Sequence, residues 1–467
     1  MLIKRFYRRV IAGSLIIVAG TLSISWASGS ATLKVVGYYA SWNAANLPYN
    51  NIEYSSLTHI IVAFGTPNSD GSISYDSGIP FSQLVTAAHA AGTKVLISLG
   101  GAGSGVTFSS ATKDSSLRAA LISNAISFVQ KNNYDGVDID WETPGNSIET
   151  AQLTSLIQEM RTGFDKIDSQ LLITMAIPPG NYGGQHFDYA NLTAFVDWYN
   201  VMCYDFVGSW SAYSGNNSPL YQSKLDPNFA GSDSDAVVYN FSRGIPMDKL
   251  VLGVPFYGVQ LNATGLYKVL TNNTTSNPYY ADEVNDVLQG WTYHWDDISK
   301  VPYLTNSAQT EFITFEDTNS VKLKVEYASR KKLGGMMIWE LSQDVYHGTQ
   351  PLLDAIGSAV RNLTLIVEAR STLSDYKLYD GYPNPFNPST IIAYQLPAIS
   401  HVRLTIYDVL GRQVKLLTDE VEKAGKYQVR FDAGDLASGV YFYTLRAVSE
   451  DQARQDFSRT KKLLLLR

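Results

Sequence analysis

The chain has 467 residues, 45% of them apolar, which suits a sizeable core and exceeds one ordinary domain. Its formal net charge of −7 excludes the basic footprint of a nucleic-acid binder, so no nucleic-acid partner is expected. The single cysteine, Cys203, excludes an intrachain disulfide, and a core this large needs none.

The chain opens on a targeting pattern. Lys4, Arg5, Arg8 and Arg9 form a positive region, residues 10–20 form a short apolar run, and Ser25 and Ala27 place small residues around a cut after Ala27. That arrangement predicts a signal peptide over 1–27. The run falls short of the ~20 apolar residues of a spanning helix. No other segment is suited to span, so the expected location is secreted or at the cell surface.

Residues 31–361 alternate short apolar runs with longer amphipathic ones. Strands are predicted at 33–40, 58–64, 94–99, 136–141, 171–177, 198–204, 250–257 and 335–340. Their near-continuous hydrophobicity is that of parallel strands covered on both faces. Helical spacing recurs between them, as at 115–131 and 149–167. Eight such units predict an α/β fold, a (β/α)₈ TIM barrel. The segment exceeds the ~250 residues typical of that fold, so some loops must be long, the longest after strand seven.

The run DGVDIDWE at 135–142 is the main chemical signal. Asp138, Asp140 and Glu142 are spaced by two on a strand, so all three point to one face. Successive members stand ~7 Å apart. Asp135 is out of phase and is expected to cap the strand start. Three inward acids are costly to bury and cannot all ionise side by side, so a shared proton is expected. A solvated edge strand would not interleave these acids with Val137, Ile139 and Trp141. None of the six histidines lies near the run, and a metal site draws ligands from several elements, so no metal is expected. Glu142 is nearest the C-terminal end of its strand, where barrels of this class carry their chemistry.

Residues 362–375 read as a linker. Beyond it, three prolines in YPNPFNPST precede short alternating runs at 391–396, 401–408, 426–431 and 439–446, with turns at 411–412 and 424–425. This predicts a small all-β sandwich-like domain over 376–467.

At this point resemblances become specific. The acid run matches the DxxDxDxE signature of glycoside hydrolase family 18, the chitinases and their relatives, at all four acidic positions. SLGG at 98–101 resembles the family's SxGG on strand three, and MCYD at 202–205 its MxYD on strand six. Trp339 in MIWE resembles the tryptophan under the −1 sugar, and GYY at 37–39 the family's first strand. The C-terminal region is similar to the type IX secretion sorting domain, through YPNPFNPST, IYDVLGRQV at 406–414, AGKY at 424–427, LASGVYFYTL at 436–445 and the final KKLLLLR. A chitin-binding module is the alternative there.

The family resemblance implies hydrolysis of β-1,4 N-acetylglucosamine linkages in chitin or its oligosaccharides, with retention, assisted by the substrate's own 2-acetamido group through an oxazolinium ion. It implies Glu142 as acid and then base, and Asp140 as holder of the acetamido N–H, sharing a proton with Glu142 or Asp138. It implies a buried Asp138 with Tyr38 and Ser98 as partners, Tyr204 on the acetamido oxygen, and Asp205 steadying the same sugar. Met175 and Met202 are expected around the acetyl methyl, though barrel-core packing explains them and Ser98 equally well. Trp339 is expected beneath the −1 sugar. No cofactor is implied, and the chain is expected to act as a monomer. The sorting domain implies the type IX secretion machinery as a partner, with export and then release or surface attachment.

Some positions depart from the family pattern. Ala102 stands where many relatives carry a tryptophan, and Thr143 where a tyrosine is common. The stretch from Gly258 to Leu333 reads as too short for the extra α+β lobe of some relatives, with Trp291, Tyr293 and Trp295 as either ligand contacts or core. Two alternatives therefore stand beside a chitinase: an endo-β-N-acetylglucosaminidase of N-glycans, which Ala102 favours slightly, and a catalytically weak chitin-binding lectin, which the presence of Glu142 disfavours.

Overall fold

The structure, a computed structural model, describes residues 33–371, 375–450 and 455–466. The signal peptide expected over 1–27 lies outside the described residues.

Eight parallel strands close into a barrel: β1 (Lys34–Ala40), β2 (His59–Pro67), β3 (Lys94–Gly101), β4 (Gly136–Trp141), β5 (Leu172–Ile177), β6 (Trp198–Val201), β7 (Leu250–Pro255) and β8 (Gly335–Trp339). The strands pair in chain order, and β1 bonds both β2 and β8, which closes the sheet. Every strand expected from the sequence has a counterpart. The largest end shifts are three residues each, at β2, which runs on to Pro67, and at β6, which ends at Val201.

Helices cover the outside. Ser115–Asn132 starts where Asp114 accepts from the Leu117 N–H and ends where Asn133 turns left-handed. Its buried residues Leu121, Ile122, Ala125 and Val129 keep helical spacing, so one stripe meets the strands. Ser147–Asp165 starts likewise on Asn146, which accepts from Ile148 and Glu149. Alternation on the strands divides two cores. Val62, Ile97, Ile139 and Ile173 point out under the helices, whereas Val36, Ile61, Leu96 and Met337 fill the barrel. Helix Pro351–Ser371 closes the layer and runs into the stretch 362–375 read as linker.

One expectation is overturned. Between β7 and β8 the chain builds the α+β lobe for which Gly258 to Leu333 looked too short. Strands Val259–Leu261, Thr275–Ser276, Thr292–Asp296, Val301–Thr305 and Phe312–Thr314 form an antiparallel sheet, with helix Tyr280–Leu288 beside it. These strands have two to five residues each, so none carries a readable alternation.

The C-terminal module is all β. Lys377–Leu378, Ser389–Leu396 and Gly425–Asp432 form one antiparallel sheet. Gln413–Glu422, Ser400–Tyr407, Gly439–Ser449 and Phe457–Leu465 form the other. Tyr394, Leu404, Tyr443 and Leu463 from the two sheets share one core, as in a sandwich.

The glycines of SLGG serve this architecture. Gly100 has φ 118°, and a Cβ there would stand 2.0 Å from the Asp140 carbonyl oxygen and 2.7 Å from the Phe108 ring. Only a bare backbone lets β3 lie so close to the end of β4. Gly100→Ala is therefore expected to destabilise the barrel by at least about 1–3 kcal/mol, the ordinary cost of overpacking. Denaturant unfolding of the variant measures this, and an unchanged midpoint would contradict it.

Candidate functional site

The site grows from β4, which is buried along its whole length. Asp135, just before it, accepts from the Val95 N–H at 2.7 Å and pairs with His89 at 2.8 Å, so it ties the strand's start to β3 and the helix layer. From there Asp138, Asp140 and Glu142 step up the inner face.

Asp138 is fully buried, and both its oxygens are saturated. Tyr38 from β1 and Ser98 from β3 donate to Oδ2 at 2.8 and 2.9 Å. Thr174 from β5 and Asn200 from β6 donate to Oδ1 at 2.5 and 3.2 Å. Burial pushes its carboxyl up from the ordinary value, and these four bonds pull it back by favouring the anion.

Asp140 differs in kind. Burial pushes it well above the usual carboxylate range, and the charges of Glu142 and Asp138 push further. Its Oδ1 is buried with no partner among the described residues. Glu142 is only part-buried. Burial raises it, the hydrogen bond from Asp140 lowers it, and the charge of Asp205 raises it again. The two carboxyls are thus both pushed towards their protonated forms and share one hydrogen bond, and any group that takes up this bond moves the balance between them. Ser104 clips the strand end: it donates to the Asp140 carbonyl at 2.8 Å and accepts from the Glu142 N–H at 3.0 Å.

Beyond β6 stand Met202, Tyr204 and Asp205. Burial raises the Tyr204 hydroxyl far above its ordinary value, as do the nearby charges of Asp140, Asp205 and Glu142, so Tyr204 keeps its proton and is a donor. Asp205 sits at φ 58° and accepts from the Tyr257 hydroxyl at 2.6 Å. Glu142, Met202, Tyr204 and Asp205 line an open pocket of about 1080 Å³. Two sets of aromatic rings lie near the ends of the strands. Trp339, at the end of β8, lies 5.3 Å from Tyr38, 5.8 Å from Phe64 and 6.4 Å from Trp42, centre to centre. Tyr182 and Trp210 line the same pocket as Glu142 and are 101% and 68% exposed.

Met175 is a correction. It is fully buried among the residues packed beneath the helices, while Thr174 beside it reaches Asp138 inside the barrel. Successive residues on β5 point oppositely, so Met175 faces away from the pocket. Trp291 packs on Leu304, Ile313 and Phe315, and Tyr293 and Trp295 lie on the outermost strand of the lobe's sheet. Sequence reasoning missed Thr174, Asn200, Tyr257, Trp42, Phe64, Tyr182 and Trp210. Only Thr174 and Asn200 had a signal, as lone polar residues in apolar strands.

Among the described residues, no group of three His, Cys, Asp or Glu side chains is placed to hold a metal ion.

Comparisons with known proteins give the family and the fold. Residues 34–344 match the model of glycosyl hydrolases family 18, and residues 381–456 match that of a secretion system C-terminal sorting domain. Chitinase A1 of Niallia circulans is 30% identical over 417 residues, which cover 71% of this chain and 59% of that protein. Chitinase 1 of Aphanocladium album is 27% identical, covering 65% of this chain and 80% of the relative. The crystal structure of Ostrinia furnacalis Group IV chitinase in complex with allosamidin superposes with a TM-score of 0.66 at 26% identity, covering 71% of this chain and 99% of that one.

The electrostatic arrangement is open to direct test. Because the Asp205 charge raises Glu142, Asp205→Asn is expected to lower the titration midpoint of the Glu142 carboxyl. Carboxyl-detected NMR titration of the two proteins reads this, and an equal or higher midpoint in the variant would contradict it.

Proposed function

The chain belongs to family 18 of the glycosyl hydrolases, and from that premise we propose that it is a chitinase. It cleaves β-1,4-linked N-acetylglucosamine polymers with retention, assisted by the acetamido group of the −1 sugar. The observation that carries this reading is the unequal state of the three acids. Asp138 is saturated by four donors, Asp140 is pushed far towards its protonated form and has one buried oxygen to spare, and Glu142 lines the open pocket.

Each group then has a task. The free Oδ1 of Asp140 accepts the acetamido N–H and turns the carbonyl towards the anomeric carbon. Tyr204 donates to that carbonyl oxygen. The N–H draws Asp140 away from Glu142, which then carries the proton and gives it to the leaving oxygen. The bond from the anomeric carbon to that oxygen breaks as the bond to the acetamido oxygen forms, giving an oxazolinium ion. Glu142, now ionised, takes a proton from the water that opens the ring from the leaving-group side, so configuration is retained. Asp140 is a positioning residue in this scheme and makes no bond to carbon.

Two sets of aromatic rings support a polymeric substrate. Trp42, Phe64 and Trp339 cluster as one set of stacking faces, and Tyr182 and Trp210 line the pocket with Glu142 as another. The latter pair offsets Ala102 and Thr143, so the aromatic character of the cleft favours chitin over an N-glycan core. The sorting domain marks the chain for export by the type IX machinery, so the enzyme acts outside the cell, on substrate too large to import.

Glu142→Gln is expected to lower turnover of chitin oligomers about 10²–10⁴-fold while binding persists, as for loss of a general acid. Wild-type turnover in that variant would sink the mechanism. A thiazoline analogue of the oxazolinium ion is expected to bind about 10²-fold or more tighter than substrate. Release of glycan from a high-mannose glycopeptide, with chitin oligomers untouched, would assign the alternative endo-β-N-acetylglucosaminidase activity instead.

A further inference from the structure

Beyond Met202, whose N–H still reaches the Ile177 carbonyl at 2.9 Å, the chain leaves the barrel sheet. Cys203, Tyr204, Asp205 and Phe206 therefore need another support. They find it in one dipeptide from the following loop, Asn217-Ser218, which is 1% and 3% exposed. The Asn217 side-chain oxygen accepts from the Asp205 N–H at 3.0 Å, and its backbone carbonyl accepts from the Phe206 N–H at 3.1 Å. The Ser218 hydroxyl donates to the Cys203 carbonyl at 2.6 Å. Three bonds thus hold the segment on both sides of Tyr204 and fix Asp205 in its left-handed conformation.

The dipeptide is itself anchored from the lobe and the helix after it. The Asn217 N–H donates to the Thr314 hydroxyl at 2.9 Å. Lys324, fully buried in helix Thr318–Lys331, donates to the Ser218 carbonyl at 2.6 Å and to its hydroxyl oxygen at 2.7 Å. The ammonium also meets Glu316 at 2.5 Å and Asp233 at 2.9 Å. A buried lysine is tolerable only when paired this fully. Here the pairing leaves a rigid donor aimed at Ser218, and Ser218 passes the restraint to the backbone of the pocket.

We propose that Asn217 and Ser218, held by Lys324 and Thr314, are positioning residues that set Tyr204 and Asp205 against the −1 sugar. This rests on the chitinase reading above. Neither side chain reaches the substrate; they act by fixing the segment that does. A misplacement of about 1 Å at such a segment costs as much as ~10²-fold in rate.

The test is steady-state kinetics of Asn217→Ala and Ser218→Ala on a chitin oligomer, beside the wild type, with thermal unfolding to confirm folding. The expected result is a kcat lower by about tenfold to a hundredfold with KM changed far less, because the geometry lost is that of the transition state. A second readout is the pH profile. Glu142 is faced by Asp140 from the strand below it and by Tyr204 and Asp205 from the segment after β6. Asp235, Tyr182 and Tyr239 line the same pocket. Of these, the Asp205 charge is the one that Asn217 holds near Glu142. In Asn217→Ala the alkaline limb of kcat/KM is expected to move to lower pH. A merely structural role would lower the unfolding temperature and leave kcat per folded molecule and the pH limb unchanged, and that result in both variants overturns the inference. Should the wild type itself fail to cleave, the proposed activity falls and the inference with it. An active wild type with unaltered variants overturns the inference alone.

Discussion

Four strands lend a hydrogen-bond donor to one carboxylate, Asp138, at the centre of the barrel. An anion in that position would cost several kcal/mol without partners. With four it becomes a fixed negative charge that draws β1, β3, β5 and β6 to β4. The rest of the site follows from that charge. Asp140, the next residue on the same face, is buried beside it, and burial and that charge both push it towards its protonated form. Glu142, one step further out, is the only member of the ladder near enough to open space to exchange a proton with a bound molecule.

The lobe between β7 and β8 has a second part in this account. It sits after strand seven in the chain, yet its sheet and the following helix carry Thr314 and Lys324, which grip the loop after strand six. The barrel ladder ends at Val201, so the residues that complete the pocket depend on contacts made more than a hundred positions later. Catalytic geometry is thus shared between a short buried ladder on one strand and a brace assembled from distant segments.

This division explains what could be read from the sequence. The acid ladder was legible because a period of two on a buried strand is a strong signal, and because burying three acids has no bland explanation. The barrel strands were legible as continuous apolar runs. The same continuity hid their phase: LLITMAI at 171–177 offers only Thr174 to mark the inner face, which is why Met175 was expected in the pocket and lies outside it. Gln413–Glu422 was missed because this edge strand is mostly exposed and shows no apolar alternation. Asn217 and Ser218 lie in an irregular loop and hold the pocket segment through its backbone, so no spacing or residue type announces them.

The central claim is that Glu142 works without a carboxylate nucleophile, the substrate's acetamido oxygen taking that place. Hydrolysis rates for a series of chitobiosides whose −1 acetamido group carries zero, one, two and three fluorines test it most directly. Fluorine withdraws electrons from the carbonyl and weakens it as a nucleophile. The account predicts that kcat/KM falls steeply along the series, whereas a flat series would mean that a protein carboxylate makes the bond to the anomeric carbon.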